Sequence, residues 1–176
     1  NDLKCVQRAV YEKFLASGKK IGFCIDVNIE GNGSYQPGSG TIFYKDEAGI
    51  PVVNLFGHEF FHAFQDTFYS GGTSQFNTGT RTGFPNLEFE QALFYDIING
   101  SNDATAMGST ASQAIVIEFR NWISTITNGN TEYPKQFSDF RGQYHYFLNL
   151  FHQNAFGYSD GLVKSDLLPG ALLNIF

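Results

Sequence analysis

The chain has 176 residues, of which 42% are hydrophobic and 16% charged, and its formal net charge is −6. This length suits one domain with a buried core and is short for two. An acidic chain is a poor partner for nucleic acid, because binding to phosphates needs a basic face. No apolar run approaches the ~18 residues of a membrane-spanning helix. We therefore expect a single domain over residues 1–176, with no nucleic-acid partner and no transmembrane segment.

The N-terminal part of the chain predicts one helix and two strands. Apolar residues at helical spacing predict an amphipathic helix over 2–17, ended by Gly18. Apolar residues that alternate with small or polar ones predict a strand with one buried face over 20–30. The composition of 31–40 is typical of a loop, and 41–45 predicts a second strand. Two strands around a Gly-rich connection indicate antiparallel pairing.

The remainder of the chain predicts helices separated by polar loops. Pro85 suits the first turn of one helix and Gly100 its end, and Thr110 or Ser112 lies near the start of the next. The predicted helices cover four ranges: 51–69, 85–99, 111–126 and 139–156. This order of elements predicts an α+β fold, with a small, mostly antiparallel sheet packed on several helices.

The strongest functional signal is the segment 58–62, HEFFH. On a helix His58 and His62 lie one turn apart on the same face, so both imidazoles can bind one zinc ion at ~2.0–2.1 Å. Glu59 is rotated by about 100° from His58, which puts it beside the metal rather than on it. There it can act as general base on water activated by the zinc and pass the proton to a leaving amine. The other interpretation is a buried histidine pair that bonds backbone carbonyls.

A third zinc ligand is expected from the following helix, because catalytic zinc usually takes three protein ligands. Glu88 and Glu90 are the candidates, and they point about 200° apart on a helix, so only one can face the metal. Glu90 lies among larger apolar residues, and Glu88 lies beside smaller and more polar ones. These surroundings leave the choice between the two nearly even.

The segment 57–66, GHEFFHAFQD, with a downstream helical glutamate resembles the zincin metallopeptidases, and among them the gluzincins. The resemblance implies a zincin-like fold, in a minimal form, with the motif helix at the active site of a zinc peptidase. It implies that Asp66 supports the site without binding the metal itself. We also expect that Asp96 can lie near the contact between the motif helix and the helix of Glu88. The stretch EFEQALF resembles an ExEAxxF helix whose first glutamate is the ligand, which favours Glu88 over Glu90.

The resemblance also implies where substrate would bind. Zincins hold an extended peptide or protein substrate along an edge strand, for which 41–45 is the candidate. They use a Tyr, His or Arg to steady the oxyanion, and Tyr144 and His145 are the candidates here. Two further functions share these residues: a non-catalytic binding or adhesion module that keeps the fold, and a toxin-like effector that cuts one protein. The presence of Glu59 argues against the module, which has no need of a base.

The two cysteines bear on location. Cys5 and Cys24 could form one disulfide in an oxidising compartment, which predicts an exported protein (extracellular, cell-surface or periplasmic). Equally, they could be unpaired and packed as small hydrophobic residues. The only methionine is Met107, so we expect Asn1 to follow a segment that has been removed.

Overall fold

The computed structural model describes residues 3–49, 53–100, 104–134, 141–155 and 160–176. Its helices are α1 Leu3–Ala16, α2 Val53–Phe68, α3 Phe84–Asn99, α4 Gln113–Ile126, α5 Arg141–Asn154 and α6 Gly170–Leu173. Its strands are β1 Gly22–Ile25, β2 Gly33–Gln36 and β3 Thr41–Tyr44, and short 3-10 turns cover Glu47–Gly49, Ser74–Phe76 and Thr105–Met107. The α+β class is confirmed.

The predicted helices are confirmed, and capping explains where two of them begin. The Ser112 side chain accepts a hydrogen bond from the Ile115 N–H, which caps α4. Gly83 precedes α3 with a φ of 94°, a left-handed conformation that favours glycine, and Pro85 follows in the first turn. Some predicted positions lie outside the described residues: 2, 51–52, 101–103, 135–140 and 156.

The three strands form one mixed sheet in the order β1-β3-β2. β2 pairs with β3 antiparallel, whereas β1 pairs with β3 parallel, with Phe23 beside Ile42. The predicted antiparallel pairing of 20–30 with 41–45 is therefore wrong, and so is the loop over 31–40, which contains β2. The reason is that the chain reverses twice between β1 and β3, once before β2 and once after it. Because β3 is the central strand, 41–45 is not the edge strand predicted for substrate.

Burial across the sheet is uneven. Ile42 and Tyr44 of β3 are 0% and 1% exposed, and helix α2 packs against the neighbouring strand β2. A side chain at Gly33 would clash with Leu55 of α2, its Cβ lying 2.9 Å from the leucine Cδ1 atom, so this glycine permits the close approach. All four residues of β1 are exposed. The buried face predicted for 20–30 is therefore wrong.

The chain divides into two compact units, Val10–Gln75 and a second made of Asn1–Ala9 with Phe76–Phe176. The first contains the sheet and α2. The second contains α3 to α6, and aromatic rings fill its core: Phe147 packs 4.9 Å from Trp122 and 5.1 Å from Phe119 between ring centroids. The one-domain organisation stays a prediction.

Both cysteines have free thiols in the structure, and both are exposed. The predicted disulfide is therefore wrong, and the alternative of two unpaired cysteines is confirmed, except that exposed thiols are not packed as small hydrophobic residues. Among the helices that the structure describes, none is long and apolar enough to cross a bilayer.

Candidate metal and catalytic site

Helix α2 brings two imidazoles together, as the spacing of the motif predicts. The Nε2 atoms of His58 and His62 lie 3.1 Å apart, with the rings nearly perpendicular at 74°. A tetrahedral zinc with Zn–N bonds of ~2.0–2.1 Å requires about 3.3–3.4 Å between two ligand nitrogens. The pair therefore lies within a few tenths of an ångström of the spacing that a shared metal needs. A hydrogen bond between the two rings has a similar length.

Gln65 orients one of these imidazoles. His62 Nδ1 lies 2.8 Å from Gln65 Oε1, and Gln65 is fully buried. In the tautomer with its proton on Nδ1, the histidine donates to the amide oxygen and leaves Nε2 with a lone pair for a metal. Gln65 was missed in the sequence, although its position three residues after His62 puts both on one helix face.

Glu59 is held against the edge of the sheet. Its Oε2 atom accepts a 2.6 Å hydrogen bond from the backbone N–H of Tyr35, and its side chain is buried. Lys45 N–H donates to the carbonyl of Asn32, the residue before β2. The antiparallel alternation therefore turns the Tyr35 N–H away from β3, toward the outer edge of β2. Glu59 thus accepts the hydrogen bond of this outward N–H, and the contact holds its carboxylate beside the histidines on α2.

Asp66 lies two turns beyond His58 on α2 and ties several segments together. It accepts hydrogen bonds from the Thr73 N–H at 2.7 Å and the Tyr35 hydroxyl at 3.1 Å, and pairs with Lys19 Nζ at 3.0 Å. Burial alone would raise the pKa of Asp66, but the Thr73 N–H and hydroxyl and the Lys19 ammonium together lower it below 3.8. Asp66 is therefore connected to Glu59 through Tyr35, which donates a hydrogen bond to each carboxylate.

The two glutamates of α3 have different surroundings. Glu90 is 1% exposed, and its Oε1 atom accepts a 2.8 Å hydrogen bond from the Leu172 N–H at α6. Burial, and secondarily the charge of Glu90, raises the pKa of Tyr133 and Tyr144 well above 10. Glu90 thus joins helices within its own unit. Glu88 is also buried and points from the opposite side of α3.

The remaining predicted residues lie on α3 and α5. Both carboxylate oxygens of Asp96 accept hydrogen bonds from the turn after α3, from the N–H groups of Thr105 and Ala106 at 2.9 Å. Tyr144 is fully buried, with its ring 5.2 Å from that of Phe89. His145 is half-buried and its ring lies 5.6 Å from that of Tyr144. The contacts of Asp96 give it a structural role in its own unit. Of the two oxyanion candidates, His145 is more accessible than Tyr144.

Several partners of the site could not be found from the sequence. Tyr35 lies in a segment whose composition predicts a loop. The other two partners, Lys19 and Thr73, precede and follow α2 in the chain, and both bind Asp66. Polar residues in such loops carry no periodic signal, so nothing in the pattern marks them.

Comparison with known proteins adds no family to this geometry. No protein-family model, no curated protein and no solved structure matches the chain. The function is therefore inferred from the residues and their arrangement.

Proposed function

We propose that the protein is a zinc-dependent peptidase in which Glu59 is the general base. The observation that carries this is the pair of imidazole Nε2 atoms 3.1 Å apart on α2, with Glu59 between that helix and strand β2. Two nitrogens at this distance suit one zinc ion, and a carboxylate beside them suits proton transfer. The HEFFH segment thus supplies both functions from a single helical turn.

Glu88 is the third ligand in this proposal. His58, His62 and Glu88 are a group of side chains that could hold one metal ion, which supports this choice. Two imidazoles and one carboxylate are a donor set found in catalytic zinc sites, where a fourth position is left for water. Glu90 is the weaker candidate, because its carboxylate already holds the Leu172 N–H. The resemblance and the contacts therefore favour the same residue.

Each residue then has a defined task. When bound, zinc lowers the pKa of water toward ~7 and polarises a carbonyl. Glu59 takes the proton and returns it to the leaving amine, and the Tyr35 N–H holds the carboxylate in position. Of the two candidates, His145 is the residue proposed to stabilise the oxyanion, since the side chain of Tyr144 is buried in the core. The substrate class is a peptide or protein, and export of the chain remains part of the proposal.

The test combines metal content with turnover. The chain, freed of metal by chelation and titrated with zinc, should bind one equivalent, and it should cleave members of a fluorogenic peptide library. His62→Ala should lose both, because it removes one imidazole and its Gln65 contact. Full zinc binding by His62→Ala would refute the metal site. Stoichiometric zinc without cleavage of any peptide would support the binding-module alternative.

A further inference from the structure

Among the residues that the structure describes, no strand pairs with the outer edge of β1. Gly22 N–H donates to Gly40 and Asp26 N–H to Tyr44, both at 2.9 Å, so these even-numbered residues face β3. The alternation of a strand turns the N–H and C=O groups of Ile21, Phe23 and Ile25 the other way. All four residues of β1 are exposed. The strand therefore presents a short row of backbone donors and acceptors to a further strand.

The apolar face beside this edge is uncovered. Phe23 pairs with Ile42, and Ile25 pairs with Tyr44, so these side chains share one face of the sheet. Ile42 and Tyr44 of β3 are buried, but Phe23 and Ile25 are 60% and 41% exposed. Phe56 of α2 is 38% exposed, and its ring lies 6.3 Å from that of Phe23. The exposed rings form a small apolar cluster at the rim of the open edge.

The residues along this edge are self-complementary. A second copy of β1 can be placed antiparallel to the first, with the Phe23 residues of the two copies opposite each other. Ile21 then lies opposite Ile25 of the second copy, and the outward N–H and C=O groups of the two strands pair with each other. The same register places Lys20 opposite Asp26 of the second copy, twice per pair of chains. Lys20 is exposed, and no charged residue stands between these two positions. Opposite charges at directly paired positions stabilise a strand pair, whereas like charges oppose it.

We propose that β1 joins a second copy of this chain into a two-fold symmetric dimer with a continuous six-stranded sheet. A two-fold axis perpendicular to the sheet, midway between the Phe23 residues of the two copies, brings the Phe23 and Phe56 rings of both copies to the same face. Each copy then covers the apolar cluster that α2 leaves exposed, and Lys20–Asp26 pairs close both ends. The interface is isologous and uses residues that take no part in zinc binding.

The register is tested by disulfide trapping. It places Gly22 opposite Cys24 of the second copy at a non-hydrogen-bonded position, where Cα atoms lie ~4.5 Å apart, close enough for a disulfide. Gly22→Cys, with Cys5→Ser and native Cys24, should give a dimer on non-reducing gels after mild oxidation. The introduced Cβ meets only the flexible Thr41 side chain, at 3.1 Å from its Oγ1 atom.

A matched variant on the same strand provides the control. Ile25→Cys, with both native cysteines replaced by serine, puts its two thiols about four residues apart along the paired strands, or ~13 Å. It should not cross-link. Equal trapping of the Gly22→Cys and Ile25→Cys variants would overturn the register, and failure of Gly22→Cys to trap any dimer would overturn the proposal.

Association is measured separately by sedimentation velocity over a concentration series. The wild type should sediment as a dimer that dissociates on dilution, and Lys20→Asp should raise the dissociation constant roughly tenfold through two like-charge pairs. Lys45→Asp changes the net charge equally but lies beyond β3, and it should dimerise as the wild type does. A wild type that stays monomeric at every concentration, or equal effects of the two variants, would refute the dimer.

Discussion

The backbone N–H of Tyr35 donates a 2.6 Å hydrogen bond to Oε2 of Glu59, and the Tyr35 hydroxyl donates to Asp66 at 3.1 Å. One residue of β2 therefore holds two buried carboxylates of α2. The N–H contact orients the proposed base, and the hydroxyl contact connects it to the Lys19 and Thr73 network. Strand β2 thus orients two carboxylates of helix α2.

Glu59→Gln should separate metal binding from catalysis. The amide keeps the size of the side chain and its oxygen can still accept from Tyr35, but it takes no proton. We expect one equivalent of zinc and a ~10²–10⁴-fold lower turnover, the range of general-base loss. Paired metal analysis and kcat measurement check this. Wild-type turnover in the variant would exclude Glu59 as base.

Glu88→Ala and Glu90→Ala should fail in different ways. Glu88→Ala should lose most zinc affinity with a modest change in stability. Glu90→Ala should retain zinc but lose ~1–3 kcal/mol in the free energy of unfolding, because the buried Leu172 N–H is left unpaired. Zinc titration and denaturant unfolding of both variants decide between them. If Glu90→Ala loses zinc and Glu88→Ala does not, Glu90 is the ligand. If neither variant loses zinc affinity, only a generic metal site with two histidines remains.

Gln65→Ala should weaken zinc binding without removing a ligand. The variant deletes the acceptor at His62 Nδ1, which orients the imidazole, and outer partners of this kind contribute about 10–100-fold in metal affinity. Gln65→Glu restores an oxygen acceptor at the same position and should recover most of the affinity. Competition with a chromophoric chelator measures both. If both variants bind zinc as the wild type does, the Nδ1 contact has no part in metal binding.

Stability should fall at acid pH through Asp66. Its native pKa is below the ordinary value of 3.8, so the carboxylate contributes stability above that pH and loses it as the pH falls through the native pKa. Asp66→Asn should therefore cost ~1–3 kcal/mol at neutral pH, and the gap from the wild type should shrink below pH ~4. Urea unfolding across this range checks the sign. A gap that widens on acidification would contradict it.

Local signals in the sequence determined the helices and the two imidazoles. The 3.6-residue period and the cap residues Ser112 and Gly83 act within a few positions of each helix end, so they can be read from the chain itself. The i, i+4 spacing of His58 and His62 likewise depends only on the geometry of one helix.

Tertiary structure alone decided the sheet and the partners of the carboxylates. Strand β2 has four residues in a Gly-rich segment, and its pairing with β3 makes β1 parallel and leaves Phe23 exposed. Glu88 and Glu90 have almost the same sequence context, but only Glu90 meets the Leu172 N–H. The physical reason is distance along the chain: strand pairing and buried hydrogen bonds join residues tens of positions apart, whose partners no local pattern specifies.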